Sequence, residues 1–154
     1  AVAECLAEED GDVRKAACEA LGKHGQAGTA RPALHLAAVA KCLSHRETAQ
    51  DGRDVGRYVR AAACVALGKH GEAAEPHLRG IAKALQDQEP DVRKAAHEAL
   101  KCHIEARGQV VAAAVEAIGT YDPDGSARKL LHDIGQASDA AAHSAGATGA
   151  ALNT

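Results

Sequence analysis

Histidine and cysteine are the residues most able to carry chemistry in this chain of 154 residues, which contains nine of the first and five of the second. Both are preferred zinc ligands, and both serve in acid–base or nucleophilic catalysis. Their spacing matches no such site, because the sequence contains neither a C-x-x-C nor an H-E-x-x-H motif. We therefore predict no metal site, no cofactor and no catalytic residue.

The cysteines fall instead at positions that recur along the chain. Cys18 and Cys64 occupy one position of a repeated helix, which His97 fills in a third copy, and Cys5 and Cys42 share another position. Equivalent positions of stacked helices lie about 8–10 Å apart, too far for a shared zinc ion or a disulfide. We expect these residues to pack like slightly larger alanines, as reduced thiols of an intracellular compartment, either the cytoplasm or an organelle interior.

Three histidines also share one position, just past the first helix of each repeat: His24, His70 and His103. Catalysis would require a nucleophile or a carboxylate placed beside them, and neither recurs with these histidines. Because a basic side chain suits a helix C-terminus, we predict that they are half-buried structural residues.

The helix that contains the equivalent positions of Cys18, Cys64 and His97 occurs three times, at residues 12–21, 59–67 and 91–100. In each copy the apolar residues recur at i, i+3, i+4, i+7 and i+8, which predicts one buried face. Gly22 and Gly68 follow the first two copies and predict that those helices end there. A second helix follows each time, with these apolar stripes: Leu36, Val39, Ala40 and Leu43; Leu78, Ile81, Ala82 and Leu85; Val111, Ala114, Val115 and Ile118.

Two helices per unit with a period in the low thirties predict an all-α solenoid. Acidic-Pro-acidic triplets at 89–91 and 122–124 mark the starts of units, so 126–134 becomes the first helix of a fourth unit. Val2, Ala3 and Leu6 match the second helix of an earlier unit. We predict three full helix pairs flanked by two half-pairs over residues 1–135.

Residues 136–154 form a tail rich in Ala, Gly, Ser and Thr, which by itself should be disordered. The chain has no initiator Met and begins inside a unit, so we expect a processed product or a piece of a longer protein. Its apolar ends would then be covered by further repeats or by a partner.

Composition excludes several classes of protein. The chain has 38 alanines and no Trp, Phe or Met, which favours closely packed helices over β-sheets. Its formal net charge of −3 argues against nucleic acid as a partner. No apolar run approaches the ~18 residues of a membrane span.

The segments 12–25, 59–71 and 91–103, beginning Asp-Val-Arg-Lys-Ala-Ala in the first and third, resemble the HEAT-like repeat named for phycobilisome lyases. The resemblance covers residues 1–135 and implies a protein-binding scaffold, with bilin lyases and di-iron hydroxylases as minority functions. The hydroxylases use four His-Glu dipeptides, and this chain has one, at His97-Glu98. Arg14, Arg60 and Arg93, with Asp12 and Asp91, resemble that family's Asp/Arg ladder between repeats, which implies a structural role.

Candidate binding residues lie on two surfaces. Resemblance to such solenoids implies that the second helices line a concave face, where positions pointing away from the core include Lys41, Arg79 and Lys83. The second unit begins 13 residues later than the repeat period predicts. Most of these extra residues lie in 44–58, which is either a partner contact or a tolerated surface loop. Its candidate residues are Arg46, Arg53, Arg57 and Tyr58.

We therefore predict a non-catalytic protein-interaction scaffold, a peripheral or accessory subunit of a larger complex. Its partners would be proteins, with no nucleic acid and no small-molecule substrate. One alternative is a bilin-lyase-like assembly factor of a photosynthetic pigment–protein complex, which the lack of aromatic residues disfavours. Another is an adaptor fragment of a longer repeat protein.

Overall fold

Helices make up most of the chain in a computed structural model. The structure describes the backbone of residues 2–24, 32–50, 52–117 and 122–150, and the side chains of residues 2–23, 35–50, 52–104, 108–117 and 122–138. The α-helices are α1 (Gly11–His24), α2 (Pro32–Lys41), α3 (Gly56–Lys69), α4 (Leu78–Ala84), α5 (Pro90–Lys101), α6 (Ile104–Glu116) and α7 (Ser126–Ala150). Short 3₁₀ helices cover Glu4–Ala7, Cys42–Ser44 and Gly71–His77.

The helices stack in two layers, which confirms the predicted all-α solenoid of helix pairs. In one layer α1 packs against α3 and α3 packs against α5. In the other, α2 packs against the 3₁₀ helix Gly71–His77, and α4 packs against α6. Apolar side chains fill the space between the layers because each helix buries a single stripe; Leu36, Leu67, Leu85 and Leu100 are fully enclosed there.

Gly22 and Gly68 do not end their helices, contrary to the sequence prediction. Both lie inside the last turn, since α1 continues to His24 and α3 to Lys69. A Cβ added at Gly68 would lie 2.8 Å from Cα of Ala99 in α5, and one at Gly22 would lie 3.0 Å from Cα of Ala66 in α3. These glycines therefore recur because the next helix approaches their backbone closely.

The apolar stripe of α1 is less covered than its equivalents. Val59 and Val92 are buried, whereas the equivalent Val13 is 38% exposed and Ala16 is also exposed. At the predicted earlier half-pair, the structure has only the 3₁₀ helix Glu4–Ala7, in which Leu6 is buried. Residues 25–31, which follow α1, lie outside the described residues, as does Ile118 of the predicted third stripe.

The inserted segment folds back on itself before α3. An antiparallel bridge joins Thr48 to Asp54, and the Ala49 N–H donates to the Arg53 carbonyl at 2.8 Å. Gly52, with φ +82°, provides the left-handed residue of this turn. We call residues 45–55 the hairpin loop. Helix α3 begins at Gly56, so the candidate residues Arg57 and Tyr58 belong to its first turn.

Helix α7 extends well beyond the predicted end at Ile134. Its N-terminal part packs against α6, with a smaller contact to α5, through Ala127, Leu130 and Ile134. The backbone remains helical to Ala150, where the composition of the tail by itself predicts disorder. Alanine, the strongest helix former, recurs through this stretch and favours its continuation. None of the helices that the structure describes is long and apolar enough to cross a membrane.

Candidate functional site

A fully buried arginine organises the surface that the sequence singled out. Arg60, in the first turns of α3, has 0% relative exposure. Its Nη1 and Nη2 donate to the two carboxylate oxygens of Asp54 at 3.2 and 2.7 Å, while Nε and Nη2 donate to those of Asp87 at 2.8 and 2.9 Å. Nη1 also donates to the His45 carbonyl at 3.0 Å. All five N–H groups of the guanidinium are thus satisfied, as burial of a charge requires.

This network keeps all three groups charged. Hydrogen bonds from Arg60 lower the pKa of Asp54. Burial alone would raise the pKa of Asp87, but the hydrogen bonds from Arg60 outweigh it and the net shift is downward. Burial likewise opposes the charge of Arg60, and its two carboxylate partners raise the pKa of the guanidinium overall. The hairpin loop, which supplies Asp54 and His45, is therefore fastened to α3 and to the start of the next unit.

The arginines equivalent to Arg60 also bond to the loops between units, which confirms the structural role implied by the resemblance. Arg14 donates to the Glu9 carbonyl at 2.7 Å and to Nδ1 of His45 at 2.9 Å. Arg93 donates to the Asp87 carbonyl at 2.7 Å and to Asp124 at 2.6 Å.

The acidic partners implied for this ladder are wrong. The carboxylates are Asp54, Asp87 and Asp124 rather than Asp12 and Asp91. Asp54 and Asp87 each stand six residues before the arginine of their own unit. That recurrent spacing was the sequence signal that could have identified them.

A cleft of about 610 Å³ opens beside this network on the second-helix layer. It lies between the end of α2 and α4 and reaches Ala117 after α6. The lining residues are Ala40, Leu43, Ser44, Arg46, Pro76, His77, Gly80, Lys83, Ala84, Gln86, Asp87 and Ala117. The cleft combines an alanine- and glycine-rich floor with two cations, which is an arrangement suited to holding a polypeptide segment.

The structure brings together two of the seven candidate binding residues, Arg46 and Lys83, as lining residues of this cleft. Lys41 and Arg79 are exposed on α2 and α4 but do not line it. Arg53 is exposed on the hairpin loop.

The remaining two candidates, Arg57 and Tyr58, contact each other and form a separate group. The Arg57 guanidinium lies 4.8 Å from the Tyr58 ring centroid and donates to its hydroxyl at 2.8 Å. Arg57 also forms an ion pair with Glu89 at 3.0 Å, which connects the start of α3 to the residue before α5. Arg57 is therefore held within the solenoid, while Tyr58 remains 46% exposed.

The recurring histidines bind backbone of the preceding unit. Nε2 of His70 lies 3.2 Å from the Leu21 carbonyl oxygen, so the imidazole donates to the last turns of α1. His103 is 2% exposed and interacts with the backbone of Leu67, but its Nε2 has no hydrogen-bond partner among the described residues, unlike that of His70. Burial lowers the pKa of His103. The side chain of His24 lies outside the described residues. For the two that are described, the predicted structural role is supported by these contacts, although His103 is fully rather than half buried.

The cysteines pack in the core. Comparing equivalent positions of the repeats did not predict one contact, which joins two cysteines from different positions. The thiols of Cys18 and Cys42, which occupy different positions of the repeat, interact across the two layers; their hydrogen bond raises the pKa of Cys18 and lowers that of Cys42 to about 7. All five cysteines are free thiols. Within the described ranges, no group of three or more His, Cys, Asp or Glu side chains could hold a metal ion.

Comparison with known proteins agrees with this architecture. The family model for HEAT repeats matches residues 1–101, about two thirds of the chain. No curated protein matches the sequence significantly. HEAT repeats commonly serve as scaffolds for protein–protein interaction. The stacked helix pairs, the ladder of interhelical arginines and the family match together place this chain in the HEAT repeat family.

Proposed function

We propose that this chain is a non-catalytic protein-interaction scaffold that acts as an accessory subunit of a larger assembly. The observation that supports this proposal is the exposed face of the second helices, α2 and α4. Lys41, Arg79 and Lys83 all project from it, and none has an ion-pair or hydrogen-bond partner for its side chain among the described residues. Cations without a partner in the described part of the chain are available to another protein.

The cleft supports a scaffold better than it supports a bilin-lyase-like factor of the phycobilisome-lyase type. A tetrapyrrole would be held by stacking and apolar contact, and the only ring that lines the described cleft besides that of Pro76 is the imidazole of His77. Burial lowers the pKa of His77, which keeps the imidazole neutral rather than available as a cation for propionate groups. The other alternative, an adaptor fragment of a longer repeat protein, would use the same face. It differs from the proposed subunit only in the length of the polypeptide.

Affinity purification from the source cells tests this proposal, with the wild-type chain and a Lys41→Glu/Lys83→Glu variant as parallel baits. Lys69→Glu/Lys94→Glu is the matched control, because these lysines are also exposed but lie on the first-helix layer. We expect a stoichiometric protein partner that is recovered by the wild type and the control and lost with the first variant.

Equal recovery by all three baits would contradict the use of the second-helix face. Recovery of a coloured chain without a stoichiometric partner would overturn the scaffold proposal and support the pigment-assembly alternative.

A further inference from the structure

We infer that the cleft between α2 and α4 is a docking site for an acidic segment of a partner protein, with Arg46 and Lys83 as its two anchors. This inference rests on the proposed scaffold function and specifies the site and the chemistry of what it binds. It also separates Arg46 and Lys83 from the other candidate residues, which lie outside the cleft.

The floor of the cleft is apolar. It is formed by small or aliphatic residues from two neighbouring units and the end of a third, namely Ala40, Leu43, Pro76, Gly80, Ala84 and Ala117. A Cβ added at Gly80 would lie 3.0 Å from Cδ1 of Leu43. The missing side chain therefore lets Leu43 lie against α4.

Arg46 lines the cleft, and the buried network does not depend on it. Its Nη1 lies 3.4 Å from Oδ2 of Asp87, and its side chain is 65% exposed. Arg60 already binds both oxygens of that carboxylate at 2.8 and 2.9 Å. A partner carboxylate can therefore replace Asp87 at Arg46 while the buried network stays intact, because the bidentate pair does not depend on Arg46.

The charge of the cleft selects an anionic ligand. Asp87 is the one carboxylate among the described lining residues, and it shares Arg60 with Asp54, so that this network carries one net negative charge, which Arg46 balances. Lys83 is exposed on α4 and has no side-chain partner in the described part of the chain. Arg60, Arg46 and Lys83 against Asp54 and Asp87 thus leave one net positive charge beside an apolar lining, which complements a segment that carries Asp or Glu among small apolar residues.

A protein segment fits this surface better than nucleic acid does. The whole chain has a formal net charge of −3, whereas nucleic-acid binding relies on an extended basic surface. The cleft lining also contains no Trp, Tyr or Phe on which bases could stack.

Selection from a phage library of random 12-residue peptides tests the inference on the intact chain, with counter-selection on an Arg46→Glu/Lys83→Glu variant. Recovered peptides are synthesised with a fluorophore, and their Kd is measured by fluorescence anisotropy. We expect enrichment of Asp and Glu, and at least a tenfold weaker Kd for Arg46→Gln/Lys83→Gln. Lys69→Gln/Lys94→Gln serves as the matched charge control and should bind as tightly as the wild type.

Gly80→Leu provides a second variant that alters the cleft lining without changing charge, because a side chain there must displace Leu43, and its fold is checked by circular dichroism. It should also weaken the peptide at least tenfold. Peptides without acidic residues, or a Kd that the cleft variants leave unchanged, would overturn the inference. So would a fluorescent twelve-nucleotide RNA that binds more tightly than the peptides and is lost with the same variants.

The two proposals fail in different ways. If a native partner is recovered by the Arg46→Gln/Lys83→Gln variant but lost on substitution of Lys41 and Arg79, the scaffold function stands and the cleft is not its docking site. If no partner is recovered and no peptide is selected, the scaffold function itself fails.

Discussion

Arg60 and Asp87 form a bidentate ion pair in which Nε lies 2.8 Å from Oδ2 and Nη2 lies 2.9 Å from Oδ1, with both side chains almost completely buried. The same guanidinium binds Asp54 of the hairpin loop. One side chain of α3 therefore connects the segment before its own unit to the segment that begins the next. The cleft beside Arg46 depends on this connection, since Asp87 lies in its wall.

Removal of Arg60 should destabilise the whole solenoid. Arg60→Ala leaves Asp54 and Asp87 without their main partner, and loss of one partner of a buried ion pair costs about 3–5 kcal/mol. Urea denaturation followed by circular dichroism measures the free energy of unfolding. Arg79→Ala is the control and should change it by less than about 0.5 kcal/mol, because Arg79 is exposed. Equal losses in the two variants would show that the network does not stabilise the fold.

Acid should weaken the fold through the interhelical carboxylates. The pKa of Asp54 and that of Asp87 are both lowered in the folded chain. Burial alone would raise the pKa of Asp124, but hydrogen bonds from Ser126 and Arg93 lower it to about 2. The unfolded chain, with an Asp pKa of about 3.9, therefore takes up protons first. The stability from these groups is fully present above about pH 4 and is lost as pH falls towards 2.

The free energy of unfolding measured at several pH values between 6 and 2 checks this dependence. Asp87→Asn should give a shallower decline below pH 4 than the wild type, whereas Asp91→Asn should leave the slope unchanged, because Asp91 is exposed. A slope that Asp87→Asn does not alter would assign the acid sensitivity to other groups.

The close approach of α3 and α5 should make Gly68 intolerant of even one methyl group. Gly68→Ala would place Cβ 2.8 Å from backbone of Ala99, which a side-chain rotation cannot relieve. We expect a loss of about 1–3 kcal/mol in unfolding free energy from overpacking, although alanine favours a helix.

Gly135→Ala gives the matched comparison on α7. No atom lies within 4 Å of a Cβ at that position, so the variant should gain about 0.5–1 kcal/mol from helix propensity alone. Thermal unfolding of both variants measures the difference. A stabilised Gly68→Ala would show that the two helices separate more easily than the structure implies.

The thiols should differ in reactivity according to burial. Cys102 is exposed, whereas Cys18, Cys42 and Cys64 are buried. Burial raises the pKa of Cys64 to about 12, and Cys42, with its pKa lowered to about 7 by Cys18, is still shielded from reagents. We expect titration with Ellman's reagent to show a fast phase that loses about one thiol equivalent in Cys102→Ala and is unchanged in Cys64→Ala. Fast reaction of the buried thiols in native protein would mean that the layers open readily.

Sequence alone determined the architecture because it depends on local periodicity. Apolar residues at helical spacing, repeated from unit to unit, are enough to predict which faces are buried and that the helices pair. The exposed cations Lys41, Arg79 and Lys83 followed from the same periodicity, since positions that face away from a stripe are set by the helical turn.

Only the tertiary structure decided which of these residues act together. Arg60 meets Asp87 across 27 residues and Asp54 through the hairpin loop, and no periodic pattern specifies where an inserted segment folds. The glycines at 22 and 68 carried the sequence signal of a helix end, yet they are small because a neighbouring helix lies against them. The cleft follows from the same cause: it is the space left where units pack, so its shape depends on long-range distances that residue types do not encode.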